Sequence, residues 1–400
     1  MAPQGWFGRV VCVCRYVVVV AVLGLSGVGS VNAADSTGSV YWAGFAFTGE
    51  ASSKEELAPH VSSVLERRGI EPLNQLLYGE FAKQPPKNLA LVADRLASLD
   101  GSTSAVVLAA ALDRELVSIE RIGGQYKVLV ELALQGLFFD FRERQVIAAY
   151  PLTLQRIDLM SERPDTGRIQ SIVEGLLYGP SATDLPTAFA GLLANARLAG
   201  AAAKRIQVAE VEIDATVLQK LGDASRASAL GASLAHELTK ALSSSTGLGL
   251  LPPASGQAIG GAMAARFSDG KVYQLKIPEA DYLVRAKVDG MKSGVVDESP
   301  AMRQMLFGAF FTVSVVEPYS GKTFFQQPLR KGAFKVVPVT QVDVDQRSAG
   351  YETLLAGFDS FAGIAAARAG HAAWLSEQKP GGRSLQQETK ALQELIASCR

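Results

Sequence analysis

Residues 116–134 read LVSIERIGGQYKVLVELAL. Two runs of alternating apolar residues flank Gly123-Gly124. Glycine takes positive φ without penalty, so this pair is a two-residue hairpin signal. Tyr126, Val128, Val130 and Leu132 fall on one face of the second arm. Outward from the turn, residues 105–112 form an apolar run that reads as a buried strand leading into the first arm. Gly136-Leu137-Phe138-Phe139 prolongs the second arm. The chain then turns near 140–144 and returns through 146–157. The result is a long antiparallel meander, which needs no crossover helices.

On either side of the meander the period changes. Residues 39–48 read as a strand rich in aromatic and small residues. Ser53 and Glu56 have the spacing of a capping box, and Pro59 fits the first turn of a shorter helix. Helices are predicted near 73–83, 88–99, 166–177 and 184–198. A second round starts at Arg205. Ile206, Val208 and Val211 suggest a strand, 227–242 a helix, 248–251 a short strand and 258–267 a helix. Tyr282, Val284, Ala286 and Val288 alternate as in a half-buried strand. Strands at 310–316 and 322–329 flank a turn at 318–321. Tyr351, Leu354, Leu355, Phe358 and Phe361 define a closing helix, 379–382 a linker, and 385–397 a short tail helix.

These elements predict an α/β to α+β fold. Two tandem modules of mixed, mostly antiparallel sheet are packed by helices, over 34–200 and 201–378, with a linker and tail helix over 379–400. Asp140 precedes Pro151-Leu152 by the same spacing that separates Glu317 from Pro328-Leu329. Together with the common order of elements, this suggests a tandem repeat.

Residues 1–33 read as an address. Arg9 and Arg15 precede an uncharged apolar run, and Val31-Asn32-Ala33 fits the small-x-small rule for cleavage between Ala33 and Ala34. The run is short for a bilayer-spanning helix, which needs roughly 20 apolar residues. Export to the periplasm follows as the expectation, with outer-membrane association in view and no integral membrane segment after cleavage. The chain of 400 residues carries 39 Lys+Arg against 39 Asp+Glu. That balance gives no excess of positive charge with which to displace counterions from nucleic acid. Cleavage would remove Cys12 and Cys14 and leave Cys399, next to the last residue, as a candidate intermolecular thiol.

Chemical motifs fail individually. His236-Glu237-Leu238-Thr239-Lys240 opens like the zinc-protease helix but has Lys240 where the second histidine must stand. Ser320-Gly321-Lys322-Thr323 ends like a phosphate-binding loop, yet Val316 replaces the required glycine and a strand follows. Asp343, Asp345 and Glu352 fall short of a calcium-loop series and read as a solvated strand edge. No catalytic, cofactor-binding or metal-ligating residue is assigned, and no cofactor is expected.

Residues 230–330 carry a family likeness. A helix precedes Leu250-Leu251-Pro252-Pro253, Asp281-Tyr282 leads a strand, and a hairpin bears Ser320-Gly321-Lys322 at its tip. This pattern resembles the amino-terminal domain of TolB and its relatives. Among them are the curli secretion protein CsgG, the activator LpoB and the middle domain of the flagellar protein FlgT. The resemblance implies envelope scaffolding, assembly or activation without catalysis. The expectation is therefore a non-enzymatic periplasmic scaffold or accessory protein of the bacterial cell envelope. It would work through envelope protein partners, with self-association into a homo-oligomer also in view. The tail helix and an exposed hairpin edge are its candidate contact surfaces. The alternative is a small-molecule binder or hydrolase with a site between the two modules.

Overall fold

The computed structural model describes residues 39–48, 57–92, 105–200, 203–221, 227–253, 262–266, 272–341, 344–379 and 384–400. The expected signal segment with its Ala33/Ala34 cleavage point, the capping box at Ser53, most of the linker and Asp343 lie outside these residues.

The first round opens with β1 (Ser39–Thr48), α1 (Pro59–Arg68), α2 (Ile70–Lys83) and β2 (Ala90–Val92). Pro59 is the first residue of α1, as its missing N–H allows. The helix expected at 88–99 is corrected at its start. Ala90-Leu91-Val92 pairs in parallel with Ser39-Val40-Tyr41, and edge pairing outweighs helix propensity. The meander follows as β3 (Val106–Ile122), β4 (Gln125–Asp140) and β5 (Gln145–Met160), with Gly123 and Gly124 at φ 55 and 88 in the tight turn. Two helices close the round, α3 (Thr166–Tyr178) and α4 (Leu185–Leu193).

The second round has β6 (Ile206–Ile213), α5 (Ala215–Leu221), α6 (Ala227–Thr246), β7 (Ala262–Arg266) and β8 (Val272–Lys276). Then come β9 (Tyr282–Glu298), β10 (Met302–Glu317), β11 (Lys322–Pro338) and α7 (Gln346–Ala365), followed by α8 (Ala372–Ser376) and α9 (Leu385–Ser398). The helix expected at 258–267 is corrected to strand β7. Its small residues fit either period, and pairing with β8 and with the end of β1 decides the outcome.

The strands form two mixed sheets. The first has the order β2-β1-β3-β4-β5-β8-β7, and a further β1–β7 pairing returns the last strand to the first and closes a ring. The second has the order β11-β10-β9-β6. Both share one plan. β1 runs parallel to β3 and β6 parallel to β9, and a bulge interrupts each of these pairings. In each meander the returning strand bulges at Ile147 or Phe324, four residues before its Pro-Leu pair. The two meanders are therefore alike in register as well as in order.

Helices α1–α4 cover one face of the first sheet through a core that includes Trp42, Phe45, Leu108, Phe138 and Phe189. The opposite face lines the ring with Ala43, Ala46, Ala109, Ala111, Ala149, Phe139, Leu251 and Leu275. Small residues allow so narrow a ring to close and fill. Helices α6 and α7 lie on the second sheet, where Phe311, Phe325, Phe358 and Phe361 centre another core. Residues 249–251 connect the sheets, because Leu250 bridges to Ala149 and Leu251 bridges to Gln207. Sheet membership therefore does not follow chain order: β7 and β8 come after residue 201 yet complete the first sheet.

Candidate functional site: a buried polar seam and an open sheet edge

Between the first sheet and α6 lies a seam of polar side chains. It begins at the bulge in β3, where Leu112 pairs with Leu134 and Arg114 with Ala133, leaving Asp113 as the extra residue. A bulge re-aims the side chain it carries. Asp113 accepts a hydrogen bond from Gln135 Nε2 at 2.7 Å and contacts the Thr48 hydroxyl. Its other carboxylate oxygen lies 3.6 Å from His236 Nδ1. The other ring nitrogen of His236 is 3.3 Å from the Leu152 carbonyl. Both imidazole nitrogens thus face acceptors, and neither is directed at a nucleophile.

Two acids lie beside this group. Glu237 accepts from Thr153 Oγ1 at 2.6 Å and pairs with Lys240 at 2.5 Å. Burial acts to raise its pKa, but the Lys240 ammonium and the Thr153 hydrogen bond hold it below the ordinary range. Glu131 is pushed the other way, by burial first and by the neighbouring Glu237 carboxylate second, against the pull of Arg114 at 3.3 Å. Arg114 also donates to Ser233 Oγ at 2.6 Å, which lies 3.3 Å from the Tyr351 hydroxyl. Burial and the Glu131 carboxylate raise the Tyr351 pKa far above its usual value. The donors and acceptors of the seam are largely used by one another, as in a structural joint.

The sequence placed His236 and Glu237 on a helix. It missed Asp113, Glu131, Gln135 and Thr153, whose contribution depends on strand register and one bulge. Among the described residues no set of three His, Cys, Asp or Glu side chains could hold a metal ion. Asp345 is not part of a solvated strand edge, which corrects the sequence reading. It caps α7 by accepting from Ser348 N at 2.9 Å, and it pairs with Lys127 of β4 at 2.5 Å. Asp281 likewise aligns two strands, accepting from Arg205 N at 2.8 Å and from Lys204 Nζ at 2.9 Å.

The tail also departs from expectation. Helix α9 is N-capped by Ser384 and packs Leu385, Leu392, Leu395 and Ile396 into the second core. Cys399, the candidate intermolecular thiol, is buried there, and burial pushes it up to about 11. An open groove of about 630 Å³ runs between α9 and the start of β11, next to the tip of the β10–β11 hairpin, lined by Tyr282, Lys322, Phe324, Gln387, Glu388 and Glu394. Tyr319 at the hairpin tip is fully exposed. Gly321 sits there at φ 70, where the tip needs a residue tolerant of positive φ.

Strand β11 is one edge of its sheet. Gln326 N donates outward to Glu388 Oε2 at 2.9 Å, and Arg330 N donates outward to Gln378 Oε1 at 2.9 Å. Even-numbered residues therefore turn their backbone groups to the open side. Pro328 and Pro338 share that parity, and proline there removes an N–H the ladder does not use.

No family model and no curated protein matches the chain. Several solved structures do. A minor lipoprotein from Acinetobacter baumannii is 8% identical, with 40% of this chain and 88% of that one covered and a TM-score of 0.20. The rare lipoprotein B from Shewanella oneidensis is 21% identical, with 24% and 70% covered and a TM-score of 0.14. A hypothetical protein from Chlamydia trachomatis is 14% identical, with 49% and 95% covered and a TM-score of 0.21. The chain is thus distantly similar to two bacterial lipoproteins over part of its length. No helix among the described residues is long and apolar enough to cross a membrane.

Proposed function

We propose that this chain is a non-catalytic scaffold or accessory protein of the bacterial cell envelope, exported to the periplasm and acting through protein–protein contacts. The observation that carries this reading is the groove between α9 and the β10–β11 hairpin, open to solvent and walled by aromatic and charged side chains. A groove with an apolar floor and a charged rim suits a peptide segment of a partner. The kinship with the TolB amino-terminal domain belongs to this proposal. Asp281-Tyr282 opens β9 and Ser320-Gly321-Lys322 forms the hairpin tip in keeping with it, while β7 stands where that likeness expects a helix. The test is photo-crosslinking in living cells from Tyr319 and Gln387, with partners identified by mass. One abundant envelope protein captured at both positions is the expected result. No captured protein would overturn the reading.

One observation favours a second reading, a small-molecule binder or hydrolase with its site at the seam. His236 faces the Asp113 carboxylate beside two further buried acids. That reading requires a ligand to co-purify with the chain and to be lost on Asp113→Asn. A ligand-free preparation with unchanged folding would remove it.

A further inference from the structure

Strand β5 pairs with β4 along its whole length, but its other side is mostly open. Among the described residues the only strand pairings there are Gln145 with β8 and Ala149 with Leu250. Ala149 exchanges both backbone bonds with Leu250, its N–H donating at 2.6 Å and its carbonyl accepting at 3.0 Å. No bulge follows before Met160, so from Ala149 onward the odd-numbered residues turn N–H and C=O outward. Pro151 shares that parity, and its missing N–H is one the ladder to β4 does not use. Farther along, Gln155, Ile157 and Leu159 form an open edge, with Ile157 50% and Leu159 66% exposed. An open edge with apolar side chains is a template for strand addition.

The charges beside this edge select its occupant. Arg156 and Asp158 flank Ile157 and lie on the face that carries α3. Their contacts within the chain are loose: Arg156 Nε and Arg168 of α3 are each 3.9 Å from the Asp158 carboxylate, and the Arg156 side chain is half exposed. Read antiparallel, Arg156-Ile157-Asp158 is its own charge complement, as a contact between like surfaces requires. We propose that a second copy of this chain adds to β5 antiparallel, about a two-fold axis at Ile157. In that register 156 falls opposite 158 in both directions, so each Arg156 meets the Asp158 of the other copy. Opposite charges directly across a strand pair are favourable and like charges are not, which fixes the register. A parallel copy would set Arg156 beside Arg156. An axis at Gln155 would leave Arg156 opposite Leu154 and Asp158 opposite Leu152. On the other face Ile157 meets Ile157, and each Leu159 lies diagonally beside the pair, so the exposed aliphatic side chains of both copies leave water together. Leu250 does not stand in the way. It lies opposite Ala149, whereas β5 of the second copy ends at Met160, opposite Leu154.

This surface is separate from the α9 groove, so the inference stands or falls apart from the scaffold proposal. A single short strand pairing lies at the small end of interfaces, under ~1,200 Å² in total, so the dimer is expected to be reversible and concentration-dependent. The experiment is analytical ultracentrifugation of the purified chain over a concentration series, with Arg156→Asp and Asp158→Arg measured alone and mixed in equal amounts. Each variant alone opposes like charges on both sides of the axis. It should self-associate about tenfold more weakly than the parent, with unchanged circular dichroism. In the mixture every like pair is replaced by an opposite one, so association should return to the parent's strength. Ile157→Pro tests the same edge without altering charge. It removes an outward N–H only, as at Pro151, leaves the ladder to β4 intact, and should weaken the dimer by about tenfold or more. A parent chain that stays monomeric throughout overturns the proposal. So does a mixture that associates no better than either variant alone. A dimer undiminished by Ile157→Pro overturns it as well.

Discussion

At the scale of single residues, the seam shows why buried polar groups resist reading from sequence. Asp113 looks like any surface acid in a strand until the bulge in β3 turns it toward Gln135 and His236. Removing it in Asp113→Ala should cost about 1–3 kcal/mol, because Gln135 Nε2 loses its buried acceptor. Urea unfolding measures this, and an unchanged midpoint would show that the contact contributes nothing. Glu131 gives a prediction with a definite sign. Its folded pKa is raised, by burial and then by Glu237, so its favourable contribution is full below the unfolded value of about 4.3 and is lost as pH rises through the folded value. Glu131→Gln cannot ionise. Its stability relative to the parent should therefore rise as pH climbs above the unfolded value. A difference that stays flat with pH would contradict the assignment.

At the scale of elements, close packing and capping decide more than propensity. Helix α7 approaches β10 at Gly357, where an added Cβ would come within 2.6 Å of the Phe311 ring. Gly357→Ala should destabilise by about 1–3 kcal/mol despite alanine's better helix propensity, as seen in thermal melts. A neutral or stabilising result would mean that α7 can shift outward freely. The tail helix is a second case. Its period of Leu385, Leu392 and Ile396 is legible in the sequence, which makes it a candidate contact surface there. It instead seals the core, and Glu388 and the nearby Gln378 occupy the edge of β11. Deleting 385–400 should cost several kcal/mol, at roughly 1.5–3 kcal/mol per large buried side chain. Retention of the parent's melting temperature would show that the helix is dispensable.

At the scale of the whole molecule, the two sheets repeat one plan but are not independent. The ring of the first sheet needs β7 and β8, and its interior needs Leu251 and Leu275, all from beyond residue 201. A fragment of 34–200 should therefore fail to fold to the parent's stability, even though it holds every helix of the first round. Circular dichroism of that fragment with a cooperative melt near the parent's would refute this. What the sequence determined by itself is local and periodic. It set the meander through Gly123-Gly124 and its alternating arms, the amphipathic helices, the mixed sheet class and the repeated Pro-Leu spacing. These follow from neighbours in the chain, whose periods of two and 3.6 are visible in one dimension. The remaining features are non-local and arise from contacts between distant parts of the chain. Such contacts turned 262–266 into a strand, closed the first sheet into a ring, gathered Asp113, Glu131, His236 and Glu237 at one seam, and buried Cys399. Each depends on which distant backbone or side chain arrives alongside, and for short runs of small residues and for polar groups that contact outweighs local preference.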